Sequence, residues 1–378
     1  MATHPRGRVG RSGTATIVLL FFMAVPLVGQ EANSTTHAGL DTSTPAGLDT
    51  RVEAPDGLVP PQSRRPRRRK TPRLSNVGYI DAAVIGTQLQ IRFDRADGIR
   101  RPDRAEFLYG KCGCFRELGA DPDAPGPTGA LNGRDPNTTT FIANGLEFSD
   151  VVLDGEVALN EKLSLFAEVP FRSATLRFGG GPSRDVSGIA DISVGVKAGL
   201  LVQEGRYVTA QLRTYLPTGD AAKGLGTDHW SIEPSLLLYR ELRSNFKLEA
   251  ELRYWIPIGG STGRAAPGFD ENDNYAGEIL RYGVGLGVDL NTGGTVTVTP
   301  VAELVGWRVL GGIAGTSSDA TLANFAVEDA SGTNIVNLKL GANISFGDSN
   351  AIFVGVGRAL TDARHYEDIL RVEYRLAR

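Results

Sequence analysis

Three residues of types that do nucleophilic chemistry alternate along one short stretch: His229, Ser231 and Glu233. At i, i+2 and i+4 of an extended strand they share one face. A base then stands beside a hydroxyl, the minimum for an activated nucleophile. Parallel side chains on Cα atoms ~6.5–7 Å apart do not readily hydrogen-bond, so this spacing predicts no direct His229–Ser231 contact, and a hydrolase is kept only as an alternative. Cys112 and Cys114 flank one glycine. A bridge between them closes a strained small ring, and zinc needs more ligands than their neighbourhood offers. A local disulfide or partners elsewhere remain open. Asp270-Glu-Asn-Asp-Asn274 offers hard oxygens to calcium, yet Tyr275 and Arg281 stand where an EF-hand loop needs Gly and Glu, so it reads as a solvated acidic loop. Gly179-Gly-Gly181 precedes no helix and is no phosphate cradle. No metal, nucleotide or flavin signature is present, and we expect no cofactor, no metal and no catalytic residue set.

The other chemistry is ionic. Lys197, Arg213, Glu233, Lys247, Glu249, Glu251, Arg253, Glu303, Lys339, Arg371, Glu373 and Arg375 each alternate with apolar neighbours, as do Asp150, Asp154, Glu156 and Glu168. On the inner face of a closed sheet they would line a polar track for solute. Equally, opposite charges across neighbouring strands would form a paired lattice that stiffens the wall.

Strands must position these residues. From Leu89, Ile91 and Phe93 to Leu370, Val372, Tyr374 and Leu376, twelve segments alternate apolar and polar side chains, most of them for nine residues or more. Soluble strands run ~5–6 residues, whereas a strand crossing a bilayer needs ~9–11. The segment at 350–360 is apolar on both faces, which leaves its register open. Tight connections at 160–162, 203–206, 243–245, 291–294 and 347–350 alternate with longer ones at about 95–147, 172–188, 217–228, 259–277 and 311–333 and a brief one at 361–367. This is the rhythm of an all-β, closed antiparallel transmembrane β-barrel of about 12 strands, with short periplasmic turns and longer outer loops. Phe171, Tyr215, Trp230, Tyr239, Tyr254, Trp255, Tyr282, Trp307 and Phe346 fall near strand ends, where interfacial girdles would place them.

Composition agrees. Glycine supplies 47 of 378 residues, above the usual ~7%. Residues 1–73 carry 11 basic and 5 acidic side chains, net +6, and the rest nets −9, giving −3 overall. An acidic body argues against nucleic acid as a partner. Arg6, Arg8 and Arg11 precede an apolar run at 17–28, so residues 1–30 read as a secretory signal peptide. The run is too short for a spanning helix. Residues 31–75 carry little apolar content and read as a disordered Pro/Arg-rich periplasmic tail, leaving 76–378 for the barrel. The basic run at 64–70 reads as a solvated linker able to touch anionic lipid.

Two further stretches carry a resemblance: Gly188-Ile-Ala-Asp-Ile-Ser-Val-Gly-Val-Lys-Ala-Gly199, and Leu212-Arg-Thr-Tyr-Leu-Pro-Thr-Gly-Asp220 with the Gly224-Leu-Gly-Thr-Asp-His-Trp-Ser-Ile-Glu-Pro segment after it. Over roughly 145–376 the chain resembles the outer-membrane β-barrel transporters described as the MetA pathway of phenol degradation. That resemblance implies a bacterial outer-membrane location, reached by signal-peptide export. It also implies passage of small, aromatic or hydrophobic solutes, with outer-membrane lipid as the surrounding partner. The chain departs from the family in its long N-terminal tail and its Cys-bearing first loop. A structural or adhesive barrel acting through its outer loops is the other alternative.

Overall fold

The computed structural model describes residues 75–100, 143–178, 183–220, 225–227, 229–243, 245–259, 276–291, 295–315, 327–347 and 349–378. Among them no helix forms. The strands are β1 (Gln88–Arg100), β2 (Ala143–Asn160), β3 (Leu163–Phe178), β4 (Arg184–Ile189), β5 (Ile192–Gln203), β6 (Arg206–Leu216), β7 (Trp230–Arg243), β8 (Phe246–Ile258), β9 (Ile279–Val288), β10 (Leu290–Asn291), β11 (Val296–Val309), β12 (Ile313–Gly315), β13 (Val327–Asp329), β14 (Asn334–Phe346), β15 (Asn350–Ala359) and β16 (Asp368–Ala377).

Twelve staves close into one antiparallel barrel in the order β1, β2, β3, β5, β6, β7, β8, β9, β11, β14, β15, β16. The first stave pairs the last, from Gln88 opposite Ala377 to Asp97 opposite Asp368. Closure leaves no free edge, so the ladder can satisfy backbone donors that lipid cannot. The short β4 continues β5 across a break at Ala190 and Asp191 and pairs with the far half of β3. β10 extends β9 against β11. β12 and β13 form a separate two-stranded hairpin. Beside it Asp329 accepts hydrogen bonds from the Ser331 hydroxyl (2.6 Å) and backbone N–H (2.8 Å), which hold its carboxyl below the usual range.

The alternation sorts the side chains. Leu89, Ile91 and Phe93 on β1 and Val372, Tyr374 and Leu376 on β16 point outward and are exposed, while Asp94, Glu373 and Arg375 between them are buried inside. An apolar outer belt around a polar interior is the pattern that hydrocarbon requires. At 350–360 the register is fixed: Ala351 and Phe353 point in, Val354 and Val356 out.

Several expectations need correction. The staves are longer than the alternation indicated. β1 runs to Arg100, and β3 with β4 takes up much of the connection expected at 172–188. The supposed aromatic girdle divides. Phe171, Trp230, Tyr254, Tyr282 and Phe346 face outward, but Tyr215, Tyr239, Trp255 and Trp307 face the lumen. Nearness to a strand end does not fix the face; strand parity does.

The lumen is also not simply wet. Residues 75–87 form no strand and pass through the interior. Val77, Tyr79 and Ile80 pack in an apolar cluster with Ile279, Val301 and Phe353 from the wall. Ala83 and Val84 join a second one with Tyr207, Leu237 and Tyr239. The inner face of β9 is built for this close approach. A Cβ at Gly283 would lie 2.4 Å from Ile80, and one at Gly285 2.6 Å from Val77.

Candidate functional site

The twelve ionisable residues singled out above all lie on inner faces of their staves. Ten are buried: Lys197, Arg213, Glu233, Glu249, Glu251, Arg253, Glu303, Lys339, Glu373 and Arg375. Lys247 and Arg371 are half-buried. Cross-strand pairing accounts for part of the set. Lys197 meets Glu156 at 2.8 Å, Lys247 meets Asp289 at 2.6 Å, and Arg213 meets Glu168 at 2.6 Å. Arg371 grips Asp94 through two nitrogens at 2.6 and 2.7 Å.

Six of the rest hold residues 75–87, while Glu233 and Glu373 pair with Arg253 and Arg375. Carboxylates accept the backbone N–H groups of that segment: Glu249 takes Asn76 (2.9 Å), Glu303 takes Gly78 (3.0 Å) and Tyr79 (3.1 Å), and Glu251 takes Asp81 (2.9 Å). Guanidiniums donate to its carbonyls: Arg375 to Ser75 (2.7 Å) and Val77 (2.6 Å), and Arg371 to Gly78. An extended segment out of water must have its backbone groups met one by one, and charged partners make the stronger bonds. At the apex, Lys339 Nζ sits over the Tyr79 ring, 3.7 Å from its centre. Asp81 bridges Arg213 and Arg253, both at 3.0 Å. The segment thus enters beside Glu249 near the short-turn end, rises to Tyr79 and Asp81, and returns past Thr209 and Glu156 to start β1.

Among the described residues, two cavities lie along the axis. The inner one, about 260 Å³, lies between residues 75–82 and the charged wall. The outer one, about 300 Å³, opens above it between Phe148, Trp255, Trp307 and Tyr366. Arg92, Glu168, Tyr215 and Arg281 border both, and so form the waist between them.

The residues that carried the resemblance have a structural role at the outer rim. Asp191, at the β4–β5 break, accepts hydrogen bonds from Gly219 N–H (3.0 Å) and from both N–H and hydroxyl of Thr227 (2.7 Å each). Thr218 donates its hydroxyl to the Ala190 carbonyl at 3.0 Å and accepts from Ile192 N–H at 2.9 Å. One carboxylate therefore ties the three motif segments into a knot covering the end of β6. Asp191→Ala is expected to cost about 1–3 kcal/mol, because three donors lose their acceptor at once. The temperature at which the compact gel band is lost should fall, whereas Asp185→Ala on the exposed flank should leave it unchanged.

The His229–Ser231 expectation is corrected: Ser231 Oγ lies 3.2 Å from His229 Nδ1. The Trp230 carbonyl, 3.0 Å from the same nitrogen, shows the ring turned back along its own strand, which shortens the gap that parallel side chains would leave. Glu233 takes no part in this. Its oxygens receive Arg253 Nε (2.8 Å), Arg281 (3.2 Å) and the Tyr215 hydroxyl (3.2 Å). Residues 1–74, Cys112, Cys114, the glycines at 179–181 and the acidic stretch at 270–274 lie outside the described residues.

Sequence reasoning missed the occupant of the lumen. The available signal was the run of three glycines, Gly283, Gly285 and Gly287, on the inner face of β9, where neither a wet track nor an ion lattice needs them.

A closed ring of twelve long staves, apolar outside and ionic within, defines a transmembrane β-barrel. The chain belongs to the family described as “Putative MetA-pathway of phenol degradation”, whose sequence profile matches residues 121–364. No curated protein matches it. Among solved structures it is similar to the COG4313 outer membrane channel from Pseudomonas putida F1, at 12% identity over 81% of this chain and 100% of that one, with a TM-score of 0.46. It is similar also to the beta domain of the Bordetella autotransporter BrkA, at 16% identity over 78% and 100% of the two chains, TM-score 0.43. LpxR from Salmonella typhimurium aligns at 9% identity over 77% and 100%, TM-score 0.37.

Proposed function

We propose that the protein is an outer-membrane channel that passes small solutes passively through a lumen narrowed by its own residues 75–87. The observation that carries this reading is the pair of stacked cavities sharing one waist at Arg92, Glu168, Tyr215 and Arg281. They leave space along the axis of a barrel whose interior could have been filled completely. The even number of antiparallel staves is that of outer-membrane barrels, and the signal-like N-terminus supports export to that membrane. The family description supports small aromatic or hydrophobic compounds as the solutes.

The test is planar-bilayer recording of the purified, heat-modifiable protein. Small, discrete conductance steps are expected, together with swelling of liposomes in solutes of one-ring size but not in disaccharides. A folded barrel that stays silent in both assays overturns the reading.

A further inference from the structure

The outer cavity combines aromatic walls with guanidiniums at its floor. Two of its walls are indoles, Trp255 and Trp307, and Phe148 and Tyr366 add further aromatic surface. Its volume of about 300 Å³ lies at the small end of ligand sites, which hold about 300–1,000 Å³. Three carboxylates line it, and each is already engaged. Asp150 is held by Arg172 at 2.7 and 2.8 Å. Glu168 pairs with Arg213 at 2.6 Å. Asp191 closes the rim knot.

The cations at its floor are less fully engaged. Arg281 makes one hydrogen bond, to Glu233 at 3.2 Å, and its Nε has no partner. Arg92 reaches Asp94 only at 3.3 Å, through an Nε that makes no hydrogen bond, because Asp94 is gripped by Arg371. Both guanidiniums border the cavity. Each guanidinium therefore keeps hydrogen-bonding capacity beyond its own carboxylate contact, and the fork of a guanidinium suits a carboxylate.

We propose that the outer cavity is a binding site for a small aromatic carboxylate, its ring against Trp255 and Trp307 and its carboxylate at Arg92 and Arg281. This deepens the channel reading by naming the solute class, and rests on it. A neutral ring would gain the aromatic contact alone. A small aliphatic acid would gain the ionic contact alone.

Isothermal titration of the purified full-length protein in detergent tests it with three probes: sodium benzoate, phenol (uncharged at pH 7) and sodium acetate. Benzoate is expected to bind about tenfold or more tightly than either of the others. Arg281→Gln and, separately, Arg92→Gln should each weaken benzoate about tenfold and leave phenol unchanged. Phenol or acetate binding as well as benzoate overturns the proposal on the unaltered protein, whatever becomes of the variants. Benzoate affinity unchanged in both heat-modifiable variants overturns it too. Binding is read without conduction, so the two readings fail separately. A silent barrel that binds benzoate overturns the channel alone, and a conducting barrel blind to benzoate overturns this site alone.

Discussion

Excision of residues 76–86 is expected to raise single-channel conductance about tenfold. Twelve staves ~4.8 Å apart and tilted ~40° enclose a ring of roughly 12 Å backbone radius. Inward side chains reduce that to roughly half, still far wider than the gap beside residues 75–82. The wall should survive the excision, because every stave pairs with both neighbours without the inner segment. Glu249, Glu251, Glu303, Arg371 and Arg375 would then face water and change the ion selectivity as well. A gentler route is Gly78→Val: even the first carbon of a side chain there would fall 2.1 Å from the Phe353 ring, which is buried. Both variants should conduct more and keep the heat-modifiable band. Conductance equal to that of the intact chain would show that residues 75–87 do not limit flow.

Arg253→Met is expected to destabilise the barrel by about 3–5 kcal/mol, the cost of removing one partner from a buried ionic cluster. Arg253 touches Glu233 (2.8 Å through Nε), Asp81 (3.0 Å) and Glu251 (3.5 Å), and its side chain is only 3% exposed. Three carboxylates would lose their common cation, and Arg213 and Arg281 could not reach all of them. Arg253→Lys should recover part of the loss, since it keeps the charge and gives up the fork. Urea unfolding in lipid, followed by tryptophan emission, reads both. A midpoint unmoved by Arg253→Met would mean that water screens the cluster.

How much of this was legible in the sequence depends on which face a residue occupies. The staves could be read because lipid tolerates only apolar side chains on one side, so β8 announces itself through Phe246, Leu248, Ala250 and Leu252 against Lys247, Glu249, Glu251 and Arg253. The inner face obeys no such rule. Glu249 and Glu303 look in sequence like pore-lining acids, yet their oxygens hold backbone N–H groups more than 170 residues away. Nothing local to Val77 or Tyr79 marks them as lumen residues, because their partners lie on β9, β11 and β15. Trp255 and Trp307 were misplaced for a related reason: an aromatic near a strand end suits the lipid interface and an inner vestibule equally well. The motif residues around Asp191 signalled kinship, but the knot they make appears only when three segments are brought to one rim.

The pairing of β1 with β16 bears on assembly. The seam joins the first stave to the last, and the loop it closes is nearly the whole barrel, so it is the costliest contact in the fold by chain entropy. Residues 75–87 are continuous with β1 and end up enclosed. While the seam is open, Glu249 and Glu303 stand ready on staves made in the middle of the chain, and the N-terminal stretch can be received sideways, with no threading. Once the seam zips, the guest is locked in by covalent continuity with its own wall, and each newly inserted barrel starts out with its lumen already narrowed.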